Sequence, residues 1–415
     1  MKKLVLAFFF LSVSLSGIAQ ENLNVMFYNL LEFPSASPGN RFIILRDIVA
    51  EFPPDIFMIC ELESEAGADT LLNETLNFET LSFNRAPYLT NQSSTSPLQQ
   101  MLYYRRDKFT LENTSTILTS VRDINKYELK LNTVNGATDP VVLYLYVAHL
   151  KSSDGASNEA IRLDMVNEFT NDLLSLPPDA FVVFAGDLNL YDSNEPAYIE
   201  LLDNTNPIVL KDPIDTPGNW HNNDTFQATH TQSTREDAGT FGAGAGGGMD
   251  DRFDFILLSE NMLTNPKLQY VENTYKAFGN NGNCYDLSIS NENCTGEFGQ
   301  IIRNRLFSMS DHLPVVLQLQ TDQEIVLGNT QFATPGPLLS LKSTVVSKQL
   351  EIHSTAPLDA GFSFAIYNTL GQKVLQWDGN PAQEIIVPIA ALANGVYYIK
   401  TNLPTIETLK FLKNS

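Results

Sequence analysis

Side chains that could bind a metal ion or move a proton lie at the ends of several apolar, strand-like runs. In chain order these side chains are Asn29, Glu61, His149, Asp187, Asn189, Asp254, Asp311 and His312. Carboxylate and amide oxygens are ligands that a hard cation such as Mg²⁺ prefers. A phosphoester is anionic, and its hydrolysis depends mainly on neutralising charge and placing a water molecule. The set therefore predicts metal-assisted hydrolysis of a phosphoester.

The spacing within these segments suggests how the chemistry is divided. Asp187 and Asn189 lie two positions apart after a strand, so in extended geometry both side chains project the same way and could hold one water molecule. His312 could supply positive charge to a phosphoryl oxygen, while the carboxylate of Asp254 fixes the imidazole tautomer. We therefore interpret these four residues as catalytic.

Each of these residues also has an ordinary structural interpretation. An aspartate at a strand end is often a turn former, Glu61 could be solvated, and His312 could be a satisfied structural histidine. The chain has only five histidines, however, and two of them fall in these strand-end segments. The agreement of five segments favours a site, with Glu61 and Asn29 as metal ligands.

The elements that would bring these segments together follow an α/β pattern between residues 20 and 320. Strands are predicted at 23–28, 55–60, 141–150, 180–185, 253–258 and 313–319, and helices at 41–52, 156–176 and 194–202. Several strands follow one another without a helix between them, so we expect mixed sheets rather than a purely parallel one. The run GTFGAGAGGGM at 239–249 lacks the Lys-Ser/Thr of a P-loop and is interpreted as a connector or a mobile loop beside the site.

The order of these residues, with the segments GDLN and SDHLP, resembles the endonuclease/exonuclease/phosphatase superfamily over about residues 22–320. The resemblance implies a four-layer α/β-sandwich, in which helices flank two central mixed β-sheets. It also implies that His149 contacts a phosphate oxygen and that Asp311 supports the metal ion or its water shell. The implied cofactor is Mg²⁺, with Mn²⁺ or Ca²⁺ as alternatives.

Two positions depart from the patterns of individual branches. Residues 90–100 contain no acid that could partner His149, as one does in the deoxyribonuclease branch. Leu31 stands where apurinic endonucleases carry an aspartate, which argues against repair of abasic sites. In the variable stretch NWHNNDTFQATHTQS, which would shape substrate choice, His221 and His230 are interpreted as surface or structural residues.

Charge limits the classes of substrate. The formal net charge is −22, which opposes non-specific attraction to polyanions but suits a protein that recruits divalent cations. Lys151, Arg162 and Arg252 are interpreted as substrate contacts. We expect a monomeric nuclease-type phosphodiesterase acting on nucleic acid. The alternatives are a sphingomyelinase-like phosphodiesterase or phosphatase acting on lipid headgroups, and a non-catalytic surface binding protein.

Both ends of the chain predict export. Residues 1–19 combine a charged start, a short apolar run and a small-residue cleavage site, which is typical of a secretory signal peptide. Residues 321–337 are interpreted as a linker, and 338–415 as a small β-sandwich. Its segments FSFAIYNTLGQKVLQ and LANGVYYIKTN resemble the C-terminal sorting domain of type IX secretion, which implies binding to that secretion machinery.

The expected location is therefore outside the cell or on its surface, without stable insertion into a membrane. No segment after the first apolar run resembles a membrane span. Cys284 and Cys294 bracket a polar loop and are expected to form a disulfide, as an oxidising compartment permits. Cys60 ends an apolar run and is interpreted as a buried free thiol.

Overall fold

The computed structural model describes residues 20–326, 339–354, 358, 362–379, 384–402 and 408–414. The predicted signal peptide at 1–19 lies outside the described residues, as do residues 327–337 of the predicted linker. Spatial contacts divide the chain into two units, Met1–Leu327 and Gly328–Ser415. The division falls inside the predicted linker segment, although its first residue, Thr321, still belongs to a strand.

The first unit contains every strand and helix that the sequence predicts there, each within a few residues of its expected bounds. The strands are β1 Glu21–Phe33, β2 Ile56–Leu62, β3 Phe83–Arg85, β4 Gln99–Arg105, β5 Phe109–Ile117, β6 Ile124–Leu131, β7 Val142–His149, β8 Phe181–Asp187, β9 Leu210–Lys211, β10 Asp254–Ser259, β11 Gln269–Tyr270, β12 Lys276–Ala277 and β13 Val315–Thr321. The α-helices are α1 Arg41–Glu51, α2 Glu65–Thr70, α3 Ala156–Asp172, α4 Pro196–Leu201 and α5 Gln300–Met309.

Two sheets form the centre of this unit. The first has the strand order β11-β13-β1-β2-β4-β3, with β12 also paired to β13, and the second has the order β5-β6-β7-β8-β10-β9. β1 and β2 are parallel, as are β7 and β8. The remaining pairs are antiparallel. The prediction of mixed pairing is therefore confirmed.

Alternating side chains on the strands of the second sheet divide between two apolar cores. On β7, Leu145 and Val147 lie in the core shared with the first sheet, whereas Tyr146 lies in the core under α3 and α4. A period of two is what a strand buried on both faces requires. α1 and α5 pack against each other and contribute Leu45 and Leu306 to the core of the first sheet. Helices therefore flank both sheets, which confirms the four-layer α/β-sandwich.

The pairing register gathers the predicted site residues at one edge of the sandwich. His149 ends β7 opposite Asp187, and Asp187 ends β8 opposite Asp254, the first residue of β10. In the first sheet, Glu61 follows the β2 residue that lies opposite Asn29 of β1. Parallel strands end at the same edge of a sheet, and an antiparallel neighbour begins there. Backbone geometry alone therefore brings these side chains close.

The disulfide between Cys284 and Cys294 is present, as predicted. The loop that it closes is hydrogen-bonded to the segment that contains the glycine-rich run. Ile289 N donates to Thr234 O at 3.0 Å, and Met249 N donates to the carbonyl of residue 287 at 3.1 Å. The cross-link therefore supports the segment whose Ala245 contacts Asp311. Cys60 is a buried free thiol, also as predicted.

The second unit is a small all-β sandwich, which confirms the fold predicted for it. Its strands are β14 Leu339–Leu341, β15 Val345–Val346, β16 Gln349–Ser354, β17 Phe364–Asn368, β18 Lys373–Trp377, β19 Glu384–Pro388, β20 Gly395–Thr401 and β21 Leu409–Lys413. They form the sheets β14-β16-β19 and β15-β21-β20-β17-β18. Ile352 and Val387 of the smaller sheet share one core with Phe364 and Ile399 of the larger.

Candidate active site

Asp187 lies at the centre of a buried group of polar side chains. Its Oδ2 atom lies 3.5 Å from His149 Nε2 and 3.7 Å from His312 Nε2. Asn29 Nδ2 donates to the same oxygen at 3.0 Å, and Asn189 Nδ2 donates to Oδ1 at 2.8 Å. All five residues are less than a tenth exposed. The structure thus brings together residues from four strand ends that the sequence spreads over almost 300 positions.

His312 and Asp254 form a buried histidine–carboxylate pair. The distance from Nδ1 to Asp254 Oδ2 is 2.7 Å, so the carboxylate fixes the tautomer and aims Nε2 toward Asp187. Burial by itself lowers the pKa of His312. The carboxylates of Asp254, Asp187 and Asp311 outweigh burial and hold that pKa well above its ordinary value. The ring is therefore a positive charge in a carboxylate-rich site.

Glu61 and Asn29 occupy the part of the site contributed by the first sheet. Asn29 Nδ2 donates to Glu61 Oε1 at 2.9 Å, and the backbone N–H of Glu32 donates to Oε2 at 3.0 Å. Glu61 has a φ of 60°, a left-handed conformation that is uncommon for a residue with a side chain. Burial raises the pKa of Glu61, and the charge of Asp311 adds to the rise. The carboxylate is therefore held close to other acids.

The glycine-rich run lies against Asp311. The backbone N–H of Ala245 donates to Asp311 Oδ2 at 2.6 Å. Gly244 has a φ of 89°, and a Cβ atom there would lie 2.9 Å from Asp311 Cγ. A side chain at this position would be both strained and in collision. The run is therefore a loop in contact with the site, and Asp311 depends on its backbone.

The donor atoms of this cluster fit a hard divalent cation. One ligand atom from each of Glu61, His149 and Asp187 can be chosen so that all lie within 4.8 Å of one another, and the same holds for Asp187, Asp254 and His312. Burial raises the pKa of Asp187 to about 7, and Asp254 and Glu61 add to the rise against the opposing effect of His312. Buried carboxylates that repel one another are stabilised by a bound cation. Oxygen donors are what Mg²⁺, Mn²⁺ and Ca²⁺ require.

His149 differs from His312 in having no acid partner at Nδ1. Its Nδ1 atom is buried, and no side chain or backbone group in the described part of the chain gives it a hydrogen bond. Burial, with smaller effects of Arg122 and His312, lowers the pKa of His149 well below its ordinary value. A neutral His149 imidazole is consistent with the absence of an acidic residue from segment 90–100.

Two of the predicted substrate contacts are wrong. Arg162 and Arg252 are both fully buried. Arg162 pairs with Glu195 at 2.7 Å, and Arg252 binds both oxygens of Asp212 at 2.8 and 2.9 Å. Both guanidinium groups are therefore paired with carboxylates inside the fold and do not face a substrate. Lys151, by contrast, is partly exposed just after β7, where its Nζ donates to the carbonyl of residue 152 at 2.7 Å.

Two residues at the site were missed by the sequence analysis. The side-chain nitrogen of Gln232 lies 2.6 Å from His312 Nε2 and 3.4 Å from Asp311 Oδ2. Arg122 donates from Nε to the carbonyl of His149 at 2.8 Å. Gln232 is a neutral residue in a variable loop, and Arg122 precedes a strand that the sequence pattern does not predict. Neither position carries a sequence signal that marks it.

The two histidines interpreted as surface or structural occupy different environments. His230 is fully buried, and its ring nitrogens lie 3.1 Å from the carbonyl of Met249 and 2.9 Å from that of Trp220. It is a structural residue. His221 is partly exposed and lies 2.7 Å from Asp251, measured from Nδ1 to Oδ1.

Comparisons with known proteins give similarities for both units. Residues 346–412 match the secretion system C-terminal sorting domain, which confirms the resemblance predicted for the second unit. No curated protein matches the chain. Among the described residues, no helix is long and apolar enough to cross a membrane.

Several solved structures have a fold similar to that of most of this chain. One is D. rerio TDP2 complexed with a single-strand DNA product, with 17% identity, a TM-score of 0.48, and coverage of 72% of this chain and 99% of that one. Another is an endonuclease/exonuclease/phosphatase from Bacteroides vulgatus, with 15% identity, a TM-score of 0.47, and coverage of 72% and 98%. A third is the human Nocturnin catalytic domain with bound sulfate, with 13% identity, a TM-score of 0.42, and coverage of 72% and 94%.

Proposed function

We propose that the first unit is a divalent-metal-dependent phosphoester hydrolase. The observation that carries the proposal is the register of β7, β8 and β10, which sets Asp187 between His149 and Asp254. His312 is held on Asp254, and Glu61 is joined to Asp187 through Asn29. A site of this kind combines carboxylates for a cation, an imidazolium, and a buried setting in which charges act strongly.

Each residue has a role that follows from its contacts. Glu61 and Asn29 would hold the cation, which when bound neutralises charge on the phosphoryl oxygens. Asp187, whose two oxygens accept from Asn29 and Asn189, would orient and deprotonate the attacking water. His312 would stabilise negative charge on a phosphoryl oxygen.

The remaining residues of the site support these four. Asp254 keeps His312 in one tautomer. Asp311, held by the backbone of the glycine-rich run, would order the water shell of the cation. His149 and Lys151 would contact phosphate oxygens, His149 through the Nε2 atom that faces Asp187. One chain supplies every residue of the cluster, so the proposed mechanism needs no second chain.

Nuclease-type cleavage of a phosphodiester is the finer hypothesis that the sequence resemblance favours. Phosphodiester cleavage in a lipid headgroup is its alternative. The acidity of the chain counts against tight binding to a polynucleotide, although bound cations would offset part of it. The two hypotheses differ in substrate and not in mechanism, so a substrate panel separates them.

Export is the function that we propose for the second unit. The match of residues 346–412 to a secretion system C-terminal sorting domain supports delivery of the hydrolase outside the cell or to its surface. The segment 1–19 would act as the signal peptide for the first membrane, and type IX machinery would recognise the sorting domain. The disulfide in the first unit agrees with an oxidising destination.

The experiment that tests the hydrolase proposal uses the purified full chain with Mg²⁺, Mn²⁺ or EDTA. Substrates are bis-p-nitrophenyl phosphate, p-nitrophenyl phosphate, plasmid DNA, RNA and sphingomyelin. We expect cleavage that EDTA abolishes and that His312→Ala and Asp187→Ala each reduce by at least about 10²-fold. Full activity in EDTA, or in either variant, would refute the proposed mechanism. Cleavage of plasmid DNA or RNA would support the nuclease-type hypothesis, and cleavage of sphingomyelin alone would support the alternative.

A further inference from the structure

A cavity of about 220 Å³ opens between the loops that continue from β7 and β8. Its lining includes Asp154 and Glu159 after β7, Tyr191 and Asp192 after β8, and Asn219 and His221 from a third loop. Tyr191 lies two residues beyond Asn189 of the candidate active site. The cavity therefore shares its supporting strand ends with the catalytic cluster.

The walls of the cavity are tied together by backbone hydrogen bonds. Ser193 N donates to Gly218 O at 2.9 Å, and Trp220 N donates to Tyr191 O at 2.9 Å. The side chain of Trp220 is fully buried beneath this pair of loops and donates from Nε1 to the carbonyl of residue 216 at 2.7 Å. A cavity held in this way is formed before a ligand arrives, so little ordering is needed on binding.

His221 lines this cavity, and Asp251 holds one of its ring nitrogens. Its Nδ1 atom is 2.7 Å from Asp251, whose side chain is 11% exposed, whereas the His221 side chain is 42% exposed. Among the described residues, no hydrogen-bond partner is found for Nε2. The arrangement repeats that of His312 on Asp254, where a buried carboxylate also holds Nδ1 at 2.7 Å. Since such a carboxylate fixes the ring orientation, Nε2 of His221 is aimed and not merely exposed.

The two histidine–carboxylate pairs are joined through one residue. Gln232 forms β-bridges with both Asp251 and His312. Its N–H donates to the Asp251 carbonyl at 3.0 Å, and its side chain contacts His312 Nε2. His221 is therefore connected, through the side chain of Asp251 and the backbone of Gln232, to the residue proposed to stabilise the phosphoryl group. A substrate that extended from His312 to His221 would place a neighbouring part in this cavity.

The lining is rich in hydrogen-bond acceptors. Asp154, Glu159 and Asp192 offer carboxylate oxygens, and His221 offers a further polar ring atom at Nε2. The rings of Tyr191 and His221 lie 5.1 Å apart, centroid to centroid, and add apolar surface. Such a lining repels a second phosphate of a polynucleotide strand. It complements a neutral group with many O–H donors.

We propose that this cavity is a leaving-group subsite for a polyhydroxylated phosphoester such as a sugar phosphate, and that His221 binds a substrate hydroxyl there. The inference rests on the proposed function, because the phosphoryl group would occupy the cluster around Asp187. It assigns a role to His221, which sequence alone marks as surface or structural. A polyhydroxylated leaving group also differs from the polynucleotide that a nuclease would release.

Two measurements test the subsite with the full chain. The first compares kcat/KM for glucose 6-phosphate, p-nitrophenyl phosphate and plasmid DNA in wild type and in His221→Ala. The second records saturation-transfer NMR of glucose, and separately of choline, with each protein in the absence of a phosphoester. Glu159→Gln removes one charge from the wall at equal size, and His353→Ala, an exposed histidine of the second unit, is the matched control.

We expect His221→Ala to lower kcat/KM for glucose 6-phosphate by about tenfold, the effect of one lost hydrogen bond. Activity on p-nitrophenyl phosphate should stay within about twofold, because that leaving group has no hydroxyl donors to bind. The glucose signal should fall in His221→Ala and in Glu159→Gln, and stay unchanged in His353→Ala. The NMR result does not depend on catalysis, so an inactive wild type that shows this pattern would refute the hydrolase and leave the subsite intact.

Three outcomes would overturn the subsite. They are equal losses on all substrates in His221→Ala, no loss on glucose 6-phosphate in a folded variant, and a signal that depends on His221 for choline but not for glucose. The last result would show that the carboxylates select a cation instead of hydroxyl groups.

Discussion

Asp254 makes one contact on which the orientation of His312 depends. Its Oδ2 atom lies 2.7 Å from Nδ1, and both side chains are nearly fully buried. We expect Asp254→Asn to lower kcat by roughly 10²- to 10⁴-fold, since the amide can stabilise the wrong tautomer and cannot support a positive ring. KM should change little, and thermal denaturation should confirm that the variant folds.

The matched control is Asp139→Asn. Asp139 also forms a short ion pair, with Lys267 at 2.6 Å, but its side chain is 54% exposed and it is not among the site residues. An exposed pair contributes little, so this variant should keep wild-type kinetics. If Asp254→Asn kept a kcat within about threefold of wild type, the histidine–carboxylate pair would not be part of the mechanism.

At the scale of elements, the glycine-rich run is the segment whose shape the site depends on. Gly242 and Gly244 both have positive φ, 76° and 89°, so alanine strains the backbone at either position. Only at Gly244 would the added Cβ meet Asp311, at 2.9 Å, while no atom lies within 4 Å at Gly242. Comparing alanine variants at these two glycines therefore separates the effect of backbone strain from the effect of displacing Asp311.

We expect both Gly242→Ala and Gly244→Ala to lose about 1 kcal/mol of unfolding free energy from the left-handed conformation. Gly244→Ala should in addition lower kcat/KM by tenfold or more, because small displacements of a site residue have large effects on rate. Urea denaturation and kinetics on bis-p-nitrophenyl phosphate measure the two effects. Equal activity losses in both variants would show that Asp311 does not depend on the run.

The elements that the sequence predicts and those that it misses differ in their pattern of burial. β8 is buried throughout, and its apolar run ends in Asp187, so both strand and site residue are visible in the sequence. β5 has one fully buried residue and a largely polar sequence, FTLENTSTI, and carries no such signal. Strands of this kind are held by pairing with their neighbour, which local sequence does not encode.

The role of a residue can be predicted from sequence only where the residue that it contacts can also be predicted. Asp187 and Asn189 are close in sequence, and their hydrogen bond follows from that spacing. The role of Arg162 is not predictable in this way, because its partner, Glu195, lies 33 positions away and comes close only once α3 and the loop after β8 are packed. A basic residue near a predicted site is therefore weak grounds for a substrate contact.

For the whole molecule, the two units have separate cores. All residues of the candidate active site lie in Met1–Leu327, and the second unit has an apolar core of its own built from β14 to β21. Such units are expected to fold separately. The division into two units is predictable from sequence because a polar, Pro- and Gly-containing stretch separates two different periodicities.

We therefore expect a chain that ends after residue 326 to keep kcat/KM within about twofold of the full chain, because an independent core preserves its site. Its thermal transition should match one of two transitions in the full chain. The same truncation should abolish export from a cell that secretes the full chain, since the match to a secretion sorting domain lies at 346–412. A truncated chain that is folded but inactive would show that the second unit contributes to catalysis. Export without residues 346–412 would show that the delivery signal lies elsewhere in the chain.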